Sequence, residues 1–178
     1  MRKIGLLVSL VLFIFMAPGV NAESPKIGPS EISFAQGMIP HHKQAVAMAN
    51  LALKYSHNKS VLAIARSIKA EQAPEINQMR SWLVNAHVKS ISASPMSAMA
   101  MGTNGMLSPT QLAALGAARD GAFDRLFLLS MIGHHKGAIQ MSQQLGDSKY
   151  PEAIILHQNI IKVQTFEIAQ MKKLLATL

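Results

Sequence analysis

An eleven-residue segment, Met38-Ile39-Pro40-His41-His42-Lys43-Gln44-Ala45-Val46-Ala47-Met48, returns nearly unchanged as Met131-Ile132-Gly133-His134-His135-Lys136-Gly137-Ala138-Ile139-Gln140-Met141, at an offset of 93 residues. A second match follows at an offset of 92, where Gln72, Glu75, Ile76 and Met79 are answered by Gln164, Glu167, Ile168 and Met171. The chain is thus built of two like halves, each with a His-His segment followed by a Gln-Glu-Met segment. In the first half, Phe34, Met38, Ala45, Val46, Ala49 and Leu53 keep a helical period, as do Ile64, Ile68, Gln72, Ile76, Met79 and Leu83 further on. Neither helical hairpin can bury its apolar stripe alone. The pattern therefore predicts an all-α fold, an antiparallel four-helix bundle of two pseudo-symmetric hairpins.

Boundary signals place the first helix from near Ser30, capped by Ser30 or Ser33, to about Tyr55, and the second from a Ser60 cap to near His87. Ser108-Pro109 opens a short helix. A long helix follows from about Asp120 to Leu145, closed by Gly146, and Pro151 opens the last one. Pro40 and Gly133 are poor helix-interior residues and predict a bend or bulge just before each His-His pair.

Outside the repeat, residues 1–22 carry Arg2-Lys3, an apolar run from Ile4 to Ala17 and small residues before Glu23, the pattern of a secretory signal peptide. Residues 23–30 form a flexible lead-in, and residues 31–178 a single domain with a methionine-rich linker at about 89–107. No later stretch reaches the roughly 18 apolar residues of a membrane span. The chain has no cysteine, so neither disulfides nor thiolate ligands are available. Losing Arg2 and Lys3 with the leader lowers the formal charge from +8 to +6. That basic balance acts on solubility and non-specific attraction. Without a lysine or arginine run, and with Trp82 the single tryptophan, it gives no sign of nucleic-acid binding.

Residues three, four, seven and ten apart share one side of a helix. Met38, His41, His42 and Met48 thus line one side, and Met131, His134, His135 and Met141 line its copy. Imidazole nitrogen and thioether sulfur suit soft to borderline metals, copper above all. On the helical wheel, with Met38 as reference, His42 lies roughly 40° to one side and His41 roughly 60° to the other, so His42 is expected nearer the apolar centre. Met96, Met99, Met101 and Met106 in the linker form a second candidate set, suited to Cu(I) or Ag(I). Met79 and Met171 read as core filler. Gln72 and Gln164 could orient an imidazole, Glu75 and Glu167 could be solvated, ligating or supporting, and His57, His87 and His157 read as surface residues.

The doubled motif resembles that of the bacterial secreted proteins gathered as domain of unknown function 305, whose hallmark is Met-Ile-Pro-His-His followed by an alanine and a methionine. The likeness spans about residues 31–178 and includes Phe34, Met38 to His42, Ala45, Met48, Gln72, Glu75 and Met79, then Phe123-Asp124-Arg125, Met131, His134, His135, Ala138, Met141, Gln164, Glu167 and Met171. Gly133 departs from the family's proline. The resemblance implies a ferritin-like bundle, and some relatives are copper-binding proteins of the periplasm or cell exterior that contribute to copper resistance.

The expected function is that of a periplasmic or secreted protein that is not an enzyme. It sequesters copper, as Cu(I), Cu(II) or both, or transfers it to another copper-handling protein. One alternative is a helical interaction or stress module with structural histidines. Another is a ferritin-like two-metal oxidase, which normally needs about four carboxylates where each half here offers one. An imidazole of ordinary pKa, about 6.5, predicts that the histidine site weakens as pH falls through that value while thioethers hold Cu(I) at about pH 5.

Overall fold

The computed structural model describes residues 27–88 and 104–178. The proposed leader, the first half of the lead-in, and Met96, Met99 and Met101 lie outside the described residues. Among those described are five helices and no strand: α1 (Pro29–Tyr55), α2 (Lys59–Asn85), α3 (Pro109–Ala117), α4 (Asp120–Leu145) and α5 (Pro151–Leu175). The fold is the all-α bundle that the repeat predicts.

Local chemistry sets the helix ends, not always where expected. Neither Ser30 nor Ser33 caps α1. Pro29, with its fixed φ and missing N–H, takes the first helical position, Gly28 becomes the N-cap, and the Glu31 carboxylate accepts the Gly28 N–H at 3.0 Å. Asn58 rather than Ser60 caps α2, its Oδ1 accepting from the Ser60 and Val61 N–H groups at 2.9 and 3.3 Å. The cap of α3 is the expected one: Ser108 Oγ accepts the Gln111 N–H, and Gln111 Oε1 accepts that of Ser108. Gly146, at φ 62°, closes α4. Helical backbone continues through Pro40 and Gly133 without a break or π-bulge, so the predicted bulge is absent. Pro40 removes only the donor its ring lacks.

Helix α1 packs chiefly on α2, and α4 on α5, within the two hairpins. Across the centre α1 meets α4, whereas α2 and α5 barely touch. The apolar core is split in two. One cluster joins Phe34, Met38, Ile76 and Met79 of the first hairpin to Ala138, Leu156 and Ile160 of the second. The other joins Ala45, Met48, Ile64 and Ile68 to Phe127, Met131, Ile168 and Met171. Met38, Met79 and Ala138 of one correspond by the repeat to Met131, Met171 and Ala45 of the other. The core thus obeys the pseudo-twofold of the sequence, and the four histidines fall between the clusters.

The turns repeat too. Ser56 Oγ accepts the Asn58 N–H and Ser148 Oγ accepts the Tyr150 N–H, both at 3.1 Å. Ser148 also donates to Glu31 Oε1 at 2.7 Å, tying the second turn to the start of α1. Because Glu31 is buried, Ser148→Ala strands a desolvated carboxylate oxygen. The expected loss is about 1–3 kcal/mol of unfolding free energy in urea titration, with helical content unchanged.

Candidate metal centre

Where α1 and α4 cross, His41 and its repeat partner His134 lie ring against ring, centroids 3.8 Å apart and planes inclined by 40°. The wheel expectation is thereby reversed: His41, not His42, sits at the pseudo-twofold centre. The cause is that α1 has two buried flanks, one facing α4 and one facing α2, instead of a single stripe. His42 and His135 turn outward to the second helix of their own hairpins. All four imidazoles are buried, none more than 1% exposed.

The partners of these rings fix their protons. His42 Nε2 lies 2.8 Å from Glu75 Oε2, and His135 Nε2 lies 2.7 Å from Glu167 Oε2. His41 Nε2 lies 2.9 Å from the Asn104 carbonyl oxygen. A carbonyl or a carboxylate can only accept, so each of these three imidazoles carries its proton on Nε2 and a lone pair on Nδ1. The three Nδ1 atoms are buried without a hydrogen-bond partner, as are both nitrogens of His134. Buried polar atoms are nearly always paired, so a symmetric layer of unpaired imidazole nitrogens calls for an explanation.

Burial, reinforced by the neighbouring His42 and His135, pulls the pKa of His41 down from 6.5 to about 3, against the opposing effect of the Asn104 hydrogen bond. Burial and the other three imidazoles hold His134 well below its ordinary value. The His41 ring is therefore neutral at pH 5, and burial holds His134 toward its neutral form as well. The ordinary imidazole value on which the expected pH dependence rests does not describe these two rings.

Of the two pairs that could orient an imidazole, Glu75 and Glu167 hold His42 and His135, and Gln72 and Gln164 do not. Both amides are 2% exposed, and neither Gln72 amide atom nor Gln164 Oε1 is hydrogen-bonded. Glu71 joins the same side of the bundle: burial, then Glu167 and Glu75, raise its pKa, while a hydrogen bond from Ser67 opposes them. It escaped notice because Val163 stands at its repeat position. Met38, Met48 and Met131 are fully buried. Met38 lies in one apolar cluster with the partly buried Met141 packed against that cluster, and Met48 and Met131 lie in the other, so thioethers stand on both sides of the histidine layer. Met106 is half-buried at the edge of the described residues. His57 and His87 are exposed, but His157 is partly buried with an unpartnered Nδ1. Among the described residues no three His, Asp or Glu side chains converge tightly enough to cage an ion. The imidazoles form an ordered rack, not a closed cage.

A duplicated helical hairpin with a buried histidine layer between two methionine-lined cores defines the class of protein. The sequence profile of a domain of unknown function, DUF305, matches residues 31–175, and the chain belongs to that family. A DUF305 fragment from Deinococcus radiodurans is 31% identical, with a TM-score of 0.78, covering 86% of this chain and 100% of that one. A DUF305 protein from Streptomyces coelicolor is 28% identical, with a TM-score of 0.75 and coverage of 83% and 93%. CopM in its Cu(I)-bound form is 31% identical, with a TM-score of 0.69 and coverage of 83% and 96%. CopM also matches in Cu(II)-bound and silver-bound forms. No curated protein matches the chain. Among the described residues no helix is long and apolar enough to cross a membrane.

The depressed histidines make stability depend on pH. Their folded-state pKa lies below the unfolded value of about 6.5, so below that pH the unfolded chain binds more protons and stability falls as pH drops toward about 3. The thermal midpoint of the metal-free protein should decline between about pH 6.5 and 5, above the ordinary carboxylate range, and His134→Leu should flatten that decline. A wild-type midpoint constant over that interval would contradict neutral burial of these rings.

Proposed function

We propose that this is an exported protein, periplasmic or secreted, that binds copper and either sequesters it or passes it to another copper-handling protein, without catalysing a reaction. The observation that carries this is the pair of symmetry-related hydrogen bonds from His42 to Glu75 and from His135 to Glu167. Each fixes the Nε2–H tautomer and leaves an Nδ1 lone pair buried and unpaired. Carboxylates that hold the far nitrogen of an imidazole are the usual support of a metal-ligating histidine, since they set its orientation and raise its basicity.

The donor set favours copper over harder ions. Imidazole alone suits zinc, copper, iron or nickel, but flanking thioethers shift the preference toward copper, Cu(I) in particular. Similarity to CopM, which matches in Cu(I)-, Cu(II)- and silver-bound forms, supports the same choice. His134, whose two ring nitrogens have no side-chain hydrogen-bond partner, adds a fourth imidazole to the set beside His41. A two-metal oxidase is a poorer fit, because the two repeat-related glutamates are already engaged by histidines.

The test is competition titration of residues 23–178 with Cu(II) and with Cu(I). Saturable Cu(II) binding is expected, weakened about 10–100-fold by Glu75→Gln or Glu167→Gln and abolished when His41, His42, His134 and His135 are all replaced by alanine, with circular dichroism to confirm folding. Replacement of Met96, Met99, Met101 and Met106 by leucine, which keeps the backbone of residues 104–107 against His41, tests these methionines as a separate Cu(I) set. Copper binding untouched by the fourfold replacement would refute the histidine assignment, and no saturable binding at all would leave the histidines structural.

A further inference from the structure

The two halves differ most where the chain enters the second one. Gly133 and Gly137 stand on α4 where the first half has Pro40 and Gln44, and residues 104–107 lie across that bare stretch of helix. A Cβ on Gly137 would fall on the carbonyl of Asn104, and one on Gly105, which sits at φ 72°, would fall on the carbonyl of Gly133. Glycine is required at both because backbone meets backbone. From the other side, Gln44 clamps the same segment: its Oε1 accepts the Leu107 N–H at 2.7 Å and its Nε2 donates to the Leu107 carbonyl at 2.9 Å. The result is a single backbone carbonyl, that of Asn104, held against His41 Nε2.

We infer that residues 104–107 are a positioning strap, in which the Asn104 carbonyl does for His41 what Glu75 and Glu167 do for His42 and His135, and that Gly105, Gly137 and Gln44 serve to seat it. Two carboxylates and one backbone carbonyl thereby impose one tautomer on three imidazoles. His134 lacks such a partner because the repeat-related place on α1 is filled by the Pro40 ring and the Gln44 side chain. The Gly137 substitution that breaks the repeat thus accounts for the one unheld histidine.

The strap itself is independent of copper, whereas its effect on affinity rests on the function proposed above, so the experiment reads the two separately. Nitrogen-15 NMR of the imidazoles in metal-free residues 23–178 at neutral pH should show His41, His42 and His135 as Nε2–H tautomers. Gly137→Ala inserts a methyl where the Asn104 carbonyl lies while improving helix propensity, and Gln44→Ala removes both clamps without touching α4. In each, His41 should lose its fixed tautomer while His42 and His135 keep theirs, and Cu(II) affinity should fall about 10–100-fold. A His41 tautomer unchanged in both variants, or an Nδ1–H tautomer in the wild type, overturns the strap. A shifted tautomer with unchanged copper affinity supports the strap and counts against His41 Nδ1 as a copper ligand.

Discussion

Two hydrogen bonds between a buried imidazole and a glutamate, His42 to Glu75 and His135 to Glu167, join the fold to the site. Each ties the first helix of a hairpin to the second at mid-height, with side chains far apart in sequence. A hydrogen bond to a charged group contributes about 1.5–3 kcal/mol, and a buried donor or acceptor left unpaired costs at least as much as an ordinary hydrogen bond gains. The imidazole–carboxylate pairs therefore fix the register of each hairpin, because a shift by one turn would leave four polar groups stranded in an apolar interior. The same contacts decide which nitrogen of each ring faces inward. Register and tautomer are set by one interaction.

The division of the apolar core follows from that polar layer. Imidazoles cannot be absorbed into a continuous hydrocarbon core without losing hydrogen bonds, so the leucine, isoleucine, phenylalanine and methionine side chains segregate above and below them. The α1–α4 crossing brings His41 and His134 together, and mutual proximity adds to desolvation in holding both rings neutral. A neutral, dehydrated imidazole keeps its lone pair available to a cation under acid conditions that would protonate a surface histidine. Burial thus extends the pH range over which these two rings stay neutral.

Much of this was legible in the sequence because duplication makes pairs visible. A lone His-His is weak evidence, but His41-His42 answered by His134-His135, and Glu75 by Glu167, identifies the central residues and the helical hairpins together. What escaped was whatever the repeat does not duplicate. Glu71 has Val163 as its counterpart, and the segment from Asn104 to Leu107 has none, so neither could be found by comparing the halves. The wheel misplaced His41 for a different reason. Period reports which residues share a side of a helix, not which of two neighbouring helices that side will meet, and α1 is buried against both α2 and α4.

Pseudo-symmetry alone would give a bundle with two equal faces and two equivalent sets of donors. The Gly137 replacement removes that equality at one point, since a side chain there would fall on the Asn104 backbone, which approaches to hydrogen-bonding distance of the histidine layer. The consequence is an ordered imbalance: His41 is held by the incoming chain, while His134, its stacked partner, is held by nothing. Three rings are thus oriented by hydrogen bonds within the fold, and the asymmetry between the two halves is concentrated on one side chain, His134, which shares the layer with them by packing alone.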